Sequence, residues 1–286
     1  MRERETATKI EQKIKEAAMT VEMGFEKLVQ EIKAGNTERY LEYLSFVSRF
    51  HKYSSFNQML IFCQKPNATL LAGSRTWQDT GYQVTPGEQG ISILAPVFVK
   101  HQEEDEYGRP VSIEKLAGFK MVKVFDASQM TEPVNDFWDF RKRVPENPEE
   151  KYQLVKRAVA ADSLKIVEKP MPLEVRGRAT LGTIYLRQGM DSDDRTNALI
   201  HGWGHELLHF GPGARGERNR LPSSIRESQV ESLVYIVSKS LDMDSQFSKD
   251  HMLGDGNIAE ALIGNMETIQ KTSHYMIRGI ERILVA

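Results

Sequence analysis

The stretch "HGWGHELLHF", residues 201–210, constrains this chain more than any other. His205 and His209 stand four apart, with Glu206 directly after the first. On an α-helix, residues four apart lie on one face, one turn along. Both imidazoles can then aim at a single point. Glu206, rotated by roughly 100°, reaches the same space without sharing that point. This is the mechanical content of a His-Glu-x-x-His motif: two nitrogen ligands for a divalent ion and a carboxylate over its water. The fold must supply a helix here and bring in a third ligand from elsewhere.

A catalytic zinc takes three protein ligands and keeps one position open. After a loop at 211–224 rich in glycine and arginine, "IRESQVESLVYIVSKSLDMD" reads as an amphipathic helix. It offers Glu227 and Glu231, again four apart. Either can ligate while the other hydrogen-bonds a ligand histidine from behind; spacing does not rank them. His201, one turn before His205, is a candidate supporting donor, substrate contact or surface residue. Trp203, Leu207 and Leu208 fall on the core side of the helix. With zinc bound and a water acidified, Glu206 acts as general base and then returns the proton to a leaving amine. "GTIYL", residues 182–186, is a candidate strand for pairing with an extended peptide.

Composition narrows the alternatives. With 286 residues the chain is long enough for one large or two ordinary domains. A net charge of -2 argues against a strongly basic nucleic-acid protein but leaves room for a local basic groove. Cys63 is the one cysteine, which excludes an intrachain disulfide and a cysteine-based zinc cluster. No uncharged apolar run approaches the roughly 20 residues a membrane helix needs. The opening "MRERETATKIEQKIKE" lacks the apolar core of a signal peptide. These features favour the cytoplasm.

Along the chain, the spacing of apolar residues predicts helices over residues 10–35, 36–50 and 54–64, and a short one over 71–81. "YQVTPGEQGISILAPVFVK" and "GFKMVKVFDAS" read as strands, with a charged hairpin tip at 103–112. Pro133, Pro145 and Pro148 mark a linker. Beyond it, 149–163 reads as a helix, "LKIVEKP" and "TLGTIYLRQ" as strands, and 191–210 as a helix opened by acidic caps. The expected fold class is α+β, in three parts. Residues 1–132 form a helical segment with a small antiparallel sheet, 133–150 a linker, and 151–286 an α/β domain carrying the histidines.

Residues 50–96 carry a resemblance. Tyr53, Ser54 and Asn57, then Gln64, Pro66, Ala68 and Thr69, then Trp77 and Gly81, and last Gly87, Glu88, Gly90, Ile91, Ile93, Leu94 and Pro96 follow the motif order of ArdC-type antirestriction proteins. "VKVFDASQM", 122–130, is similar to the strand that follows in that family. The resemblance implies an N-terminal domain that binds single-stranded DNA. It also implies a C-terminal zincin-like metallopeptidase domain similar to the ImmA/IrrE peptidases, and a setting on a mobile element. It further implies Glu227 as the third zinc ligand beside His205 and His209, with Glu231 supporting. For DNA, Lys52 and Arg75 are the candidate phosphate contacts, Tyr53 and Trp77 the candidate stacking rings, and Asn57 a candidate base-edge contact. Two other functions fit the same residues: a non-catalytic DNA-protecting protein with a structural zinc, or a regulatory protease that cleaves a repressor.

Overall fold

The computed structural model describes residues 2–104, 106–107, 109–135, 140–211, 221–244 and 256–285. By packing the chain forms two units, Met1–Gly24 with Phe56–Val134, and Phe25–Ser55 with Asn135–Ala286. This departs from a division at residue 132. Residues 25–55 group with the C-terminal unit, because their buried polar groups find partners there. The Tyr40 hydroxyl donates to Ser232 Oγ at 2.9 Å, and Gln270 Nε2 donates to the Tyr43 hydroxyl at 2.7 Å.

The N-terminal unit takes the first part of α1 (Arg2–Lys33) and nearly all of α3 (Ser55–Gln64). To these it adds β1 (Leu71–Ala72), α4 (Ser74–Asp79), β2 (Ile91–Glu104) and β3 (Pro110–Asp126). The strands run β1-β3-β2, all antiparallel. Ile91 and Ile93 alternate inward at the start of β2 and pack in a core with Met59, Ile61, Trp77 and Val124. Residues 71–72, expected to open a helix, form β1 instead. Their pairing with Asp126 and Phe125 outweighs local helical preference.

Two side-chain amides on α3 close the outer edge of β2. Asn57 exchanges hydrogen bonds with the backbone N–H and C=O of Leu94, both at 2.8 Å. Gln64 does the same for Ser92, both at 2.9 Å. Each amide mimics a strand partner and satisfies groups an edge strand would leave open. At the end of β3, Asp126 accepts from the backbone N–H groups of Thr69 (2.6 Å), Leu70 (3.1 Å) and Ser128 (3.0 Å). Burial alone would raise its carboxyl pKa. The Ser128, Thr69 and Leu70 donors outweigh that and hold it below the ordinary aspartate value.

The C-terminal unit contains α2 (Glu38–Arg49), α5 (Pro148–Ala161), β4 (Lys165–Lys169), β5 (Gly177–Thr180) and β6 (Thr183–Arg187). It continues through α6 (Ser192–His205), α7 (Ser223–Ser240), α8 (Gly256–Gly264) and α9 (Met266–Val285). Asn147 caps α5, with Pro148 in the first turn, where a missing N–H costs nothing. The run 180–188 is two strands and not one. Gly182, at φ +77°, turns β5 into β6. The sheet order is β4-β6-β5, with β6 parallel to β4 and antiparallel to β5. Both edges of β6 are therefore paired, and it cannot receive a peptide as an added strand. The described residues form an α+β fold, and no described helix is long and apolar enough to cross a membrane. Of the loop read at 211–224, residues 212–220 lie outside the described residues.

Candidate metal centre

Helix α6 begins at Asp191, whose side chain accepts from the Asp194 N–H at 2.8 Å; Asp193 and Asp194 add negative charge to the first turn. Its last turns read His-Gly-Trp-Gly-His, and each residue type has a job. A Cβ on Gly202 would lie 2.6 Å from Ile184 Cγ2 of β6, and one on Gly204 would lie 3.1 Å from Leu233 Cδ2 of α7. The two glycines let the helix lie close against strand and neighbouring helix at once. Trp203 is fully buried, and its Nε1 donates to Asp162 Oδ2 at 2.7 Å. His201 and His205 are left on the face that looks at α7.

Glu227 meets them from the first turns of α7. His201 Nε2 lies 2.8 Å from Glu227 Oε1, and His205 Nε2 lies 3.3 Å from Glu227 Oε2. One donor atom from each of the three residues lies within 4.8 Å of the others. Hydrogen bonds from His201 first, and then from His205, hold the Glu227 carboxyl well below the usual carboxylate range. Glu231 Oε1 stands 3.8 Å from His201 Nε2, behind the group.

The gathered set is thus His201, His205 and Glu227, and not His205, His209 and Glu227. His209 is buried, and its Nε2 faces the Arg226 carbonyl at 3.3 Å. The cause is local. Residues Glu206–Phe210 form a π-turn and not a continuation of α6. The wider i→i+5 turn moves residue i+4 off the position α geometry gives it. A carbonyl only accepts, so His209 Nε2 carries the proton and Nδ1 keeps a lone pair with no partner among the described residues. Burial first, and then the neighbouring His205, push its pKa down to about 4. His201, which the sequence left open between three roles, stands with His205 at the Glu227 carboxylate. Its one available signal was that it stands as far before His205 as His209 stands after it.

Glu206 is buried beneath the same turn. Its Oε2 accepts from the Gly182 N–H at 3.0 Å, while Oε1 has no partner among the described residues. Burial raises its pKa, and the Gly182 hydrogen bond opposes that only in part. Glu206 also lines a cavity of about 560 Å³, whose other walls include Asp162, Leu181 and Tyr275. Asp162 and Tyr275 escaped the sequence reading. They lie far from the histidines in the chain and belong to no motif.

The residues singled out for DNA divide between the units. Lys52 and Tyr53 belong to the C-terminal unit, and Asn57, Arg75 and Trp77 to the N-terminal one. Asn57 and Trp77 are not available as contacts. Asn57 is bonded to β2, and Trp77 is buried at 2% exposure, with Nε1 donating to the Phe125 carbonyl at 3.0 Å. Tyr53 is half-buried, and burial raises its pKa. Lys52 is exposed and lies 3.5 Å from Glu281. Arg75 is exposed.

The chain is similar to known proteins in part of its sequence and in its fold. Residues 4–127 match the model of the N-terminal domain of the anti-restriction factor ArdC. An uncharacterized Bacillus anthracis protein, pXO2-81, is 24% identical over 246 residues, covering 73% of this chain and 41% of its own length. The chain thus spans about two fifths of the length of that curated relative. The metal-free crystal structure of the antirestriction protein ArdC from plasmid R388 aligns with a TM-score of 0.55 at 15% identity, over 93% of this chain and 97% of that one. Its Mn(II)-bound structure aligns at 0.50 and 15% identity, over 91% and 97%. Residues 4–127 thus match the ArdC N-terminal domain, and the fold along the chain is similar to that of ArdC.

Proposed function

We propose that the C-terminal unit is a zinc-dependent peptidase and the N-terminal unit a single-stranded-DNA-binding domain. Together they would serve antirestriction on a mobile element, in the cytoplasm. The observation that carries the enzymatic reading is the state of Glu206. It is a buried carboxylate with one oxygen fixed by Gly182 and the other open, on the turn that follows His205. A structural metal site has no use for such a group.

The donor set suits a divalent metal. Two imidazoles and a carboxylate already converge, and their mutual hydrogen bonds are the kind an ion replaces. An ArdC crystal structure with Mn(II) supports a metal here, and the mixed nitrogen and oxygen donors suit zinc. His201, His205 and Glu227 would hold the ion, and Glu231 would steady His201. When bound, the ion supplies Lewis acidity toward a substrate carbonyl and acidifies a water. Glu206 accepts the proton at Oε1 while Gly182 keeps Oε2 in place, and then gives it to the departing amine. The buried wall beneath the π-turn, with Leu208 and Trp203 inside, keeps bulk water from competing for that carboxylate.

For the N-terminal unit the support is the ArdC domain match, with Arg75 as its exposed phosphate contact. Lys52, in the other unit, is a second exposed cation. The test uses the full chain, loaded with zinc and quantified for metal, against a random peptide mixture read by mass spectrometry. Cleavage by the wild type, and its loss in Glu206→Gln at equal metal content, is the expected result. A loaded wild type that cuts no bond overturns the peptidase reading. In that case, protection of single-stranded DNA unaltered by Glu206→Gln would point to a non-catalytic DNA shield.

A further inference from the structure

The cavity beside Glu206 has a chemical character of its own. Its described walls carry the apolar side chains of Leu164, Leu181 and Leu207, together with the carboxylates of Asp162 and Glu206. No lysine or arginine is among the described residues lining it. Asp162 follows the last turn of α5, so the partial negative charge of that helix end adds to its own.

Asp162 is held firmly and is not neutralised. Oδ2 accepts from Trp203 Nε1 and Oδ1 from the Tyr275 hydroxyl, each at 2.7 Å. Both donors are uncharged. They fix the direction of the carboxylate and leave further lone pairs on each oxygen. Ser163, at φ +61°, turns the chain sharply away just after it. The result is a slot with apolar sides and an immobilised anion.

We infer that this cavity receives the side chain of a lysine or arginine of the bound peptide. Its methylene stem lies along the leucines, and its charged head meets Asp162. The inference rests on the peptidase reading for its setting, since Glu206 shares the cavity. It adds the substrate class: peptides with a basic residue near the bond that is cut. A neutral residue of the same length would fill the slot and leave Asp162 with its two uncharged donors alone.

The test is binding and does not depend on turnover. The metal-free full chain is titrated with N-acetyl-arginine amide and with N-acetyl-norleucine amide, followed by calorimetry. The arginine amide is expected to bind at least about tenfold more tightly, the scale of a hydrogen bond to a charged group. Asp162→Asn should remove that preference. Asp162 also anchors Trp203, so a second variant, Leu181→Lys, decides the matter if the first fails to fold. Leu181 is 68% exposed, and a cation there repels the arginine head without touching the core. Equal binding of the two amides to the wild type, or an arginine preference that survives Leu181→Lys, overturns the inference. An arginine preference in a protein that cuts no peptide would leave the slot standing and remove the peptidase reading alone.

Discussion

The two units treat their polar motif residues in opposite ways. In the N-terminal unit, Asn57, Gln64, Trp77 and Asp126 all satisfy backbone groups of β2, β3 and the turn before β1. In the C-terminal unit, His205 Nδ1, Glu206 Oε1 and His209 Nδ1 are buried with no partner among the described residues. Buried polar groups are normally satisfied, and an orphan needs an explanation. The first set explains itself as architecture. The second asks for a ligand. A motif written in polar letters does not say which kind it is, and the difference appears only when each donor and acceptor is followed to its partner.

The largest effects should come from the three residues that converge, His201, His205 and Glu227. His201→Ala and His205→Ala should each lower metal affinity by more than the about 10–100-fold typical of losing an outer support. His209→Ala should cost no more than that, as read by competition with a chromogenic chelator. The reverse order would mean that the ion rewinds the π-turn into an α-helix and restores the ligand pair expected from the sequence.

Asp126→Ala should be next, destabilising the chain by about 2–3 kcal/mol in urea unfolding. It removes the acceptor of three part-buried N–H groups. Asn57→Ala should cost about 1–3 kcal/mol for the two groups of Leu94 it leaves open. Single-stranded DNA affinity per folded molecule should stay unchanged; a loss of affinity at full stability would make Asn57 a contact after all.

Acid should have a smaller effect. The folded pKa of Asp126 lies below its unfolded value, so its contribution is complete above about pH 4. That contribution is lost as pH falls through the depressed folded value. Unfolding curves at falling pH should show this loss in the wild type and less of it in Asp126→Asn. The smallest effect belongs to Arg75→Ala. Stability should change by about 0.5 kcal/mol or less, and the salt slope of single-stranded DNA binding should fall by about 1. An unaltered slope would remove Arg75 from the interface.

Much of the framework was legible because local chemistry decided it. The periodicity of 36–50 and 225–244 gave α2 and α7, and Gly35, at φ +84°, ends the first helix as expected. What escaped depended on distant partners or on a single backbone turn. Gly182 splits one apparent strand into two, and the pairing of β6 on both sides removes it as a docking edge. Tyr40 and Tyr43 look like ordinary amphipathic helix residues. Only Ser232 and Gln270, about two hundred positions away, reveal which unit they belong to. At the centre, the motif named His205, Glu206 and His209, spacing left Glu227 level with Glu231 until the resemblance favoured Glu227, and His201 stayed undecided. The sequence could not foresee the π-turn, because Glu-Leu-Leu-His-Phe carries no residue that forbids an α-helix. Asn57 and Trp77 were marked by a resemblance that the fold alone accounts for.

Gly202 carries no functional atom, yet it sets the stand-off between α6 and the sheet, with Ile184 filling the space a methyl would need. Since His201 and His205 ride on that helix, the spacing of the imidazoles from α7 is a mechanical tolerance written into one missing side chain. An alanine there would press on Ile184 and shim the helix outward, changing the spacing of the two imidazoles from α7 without removing a donor from the sequence.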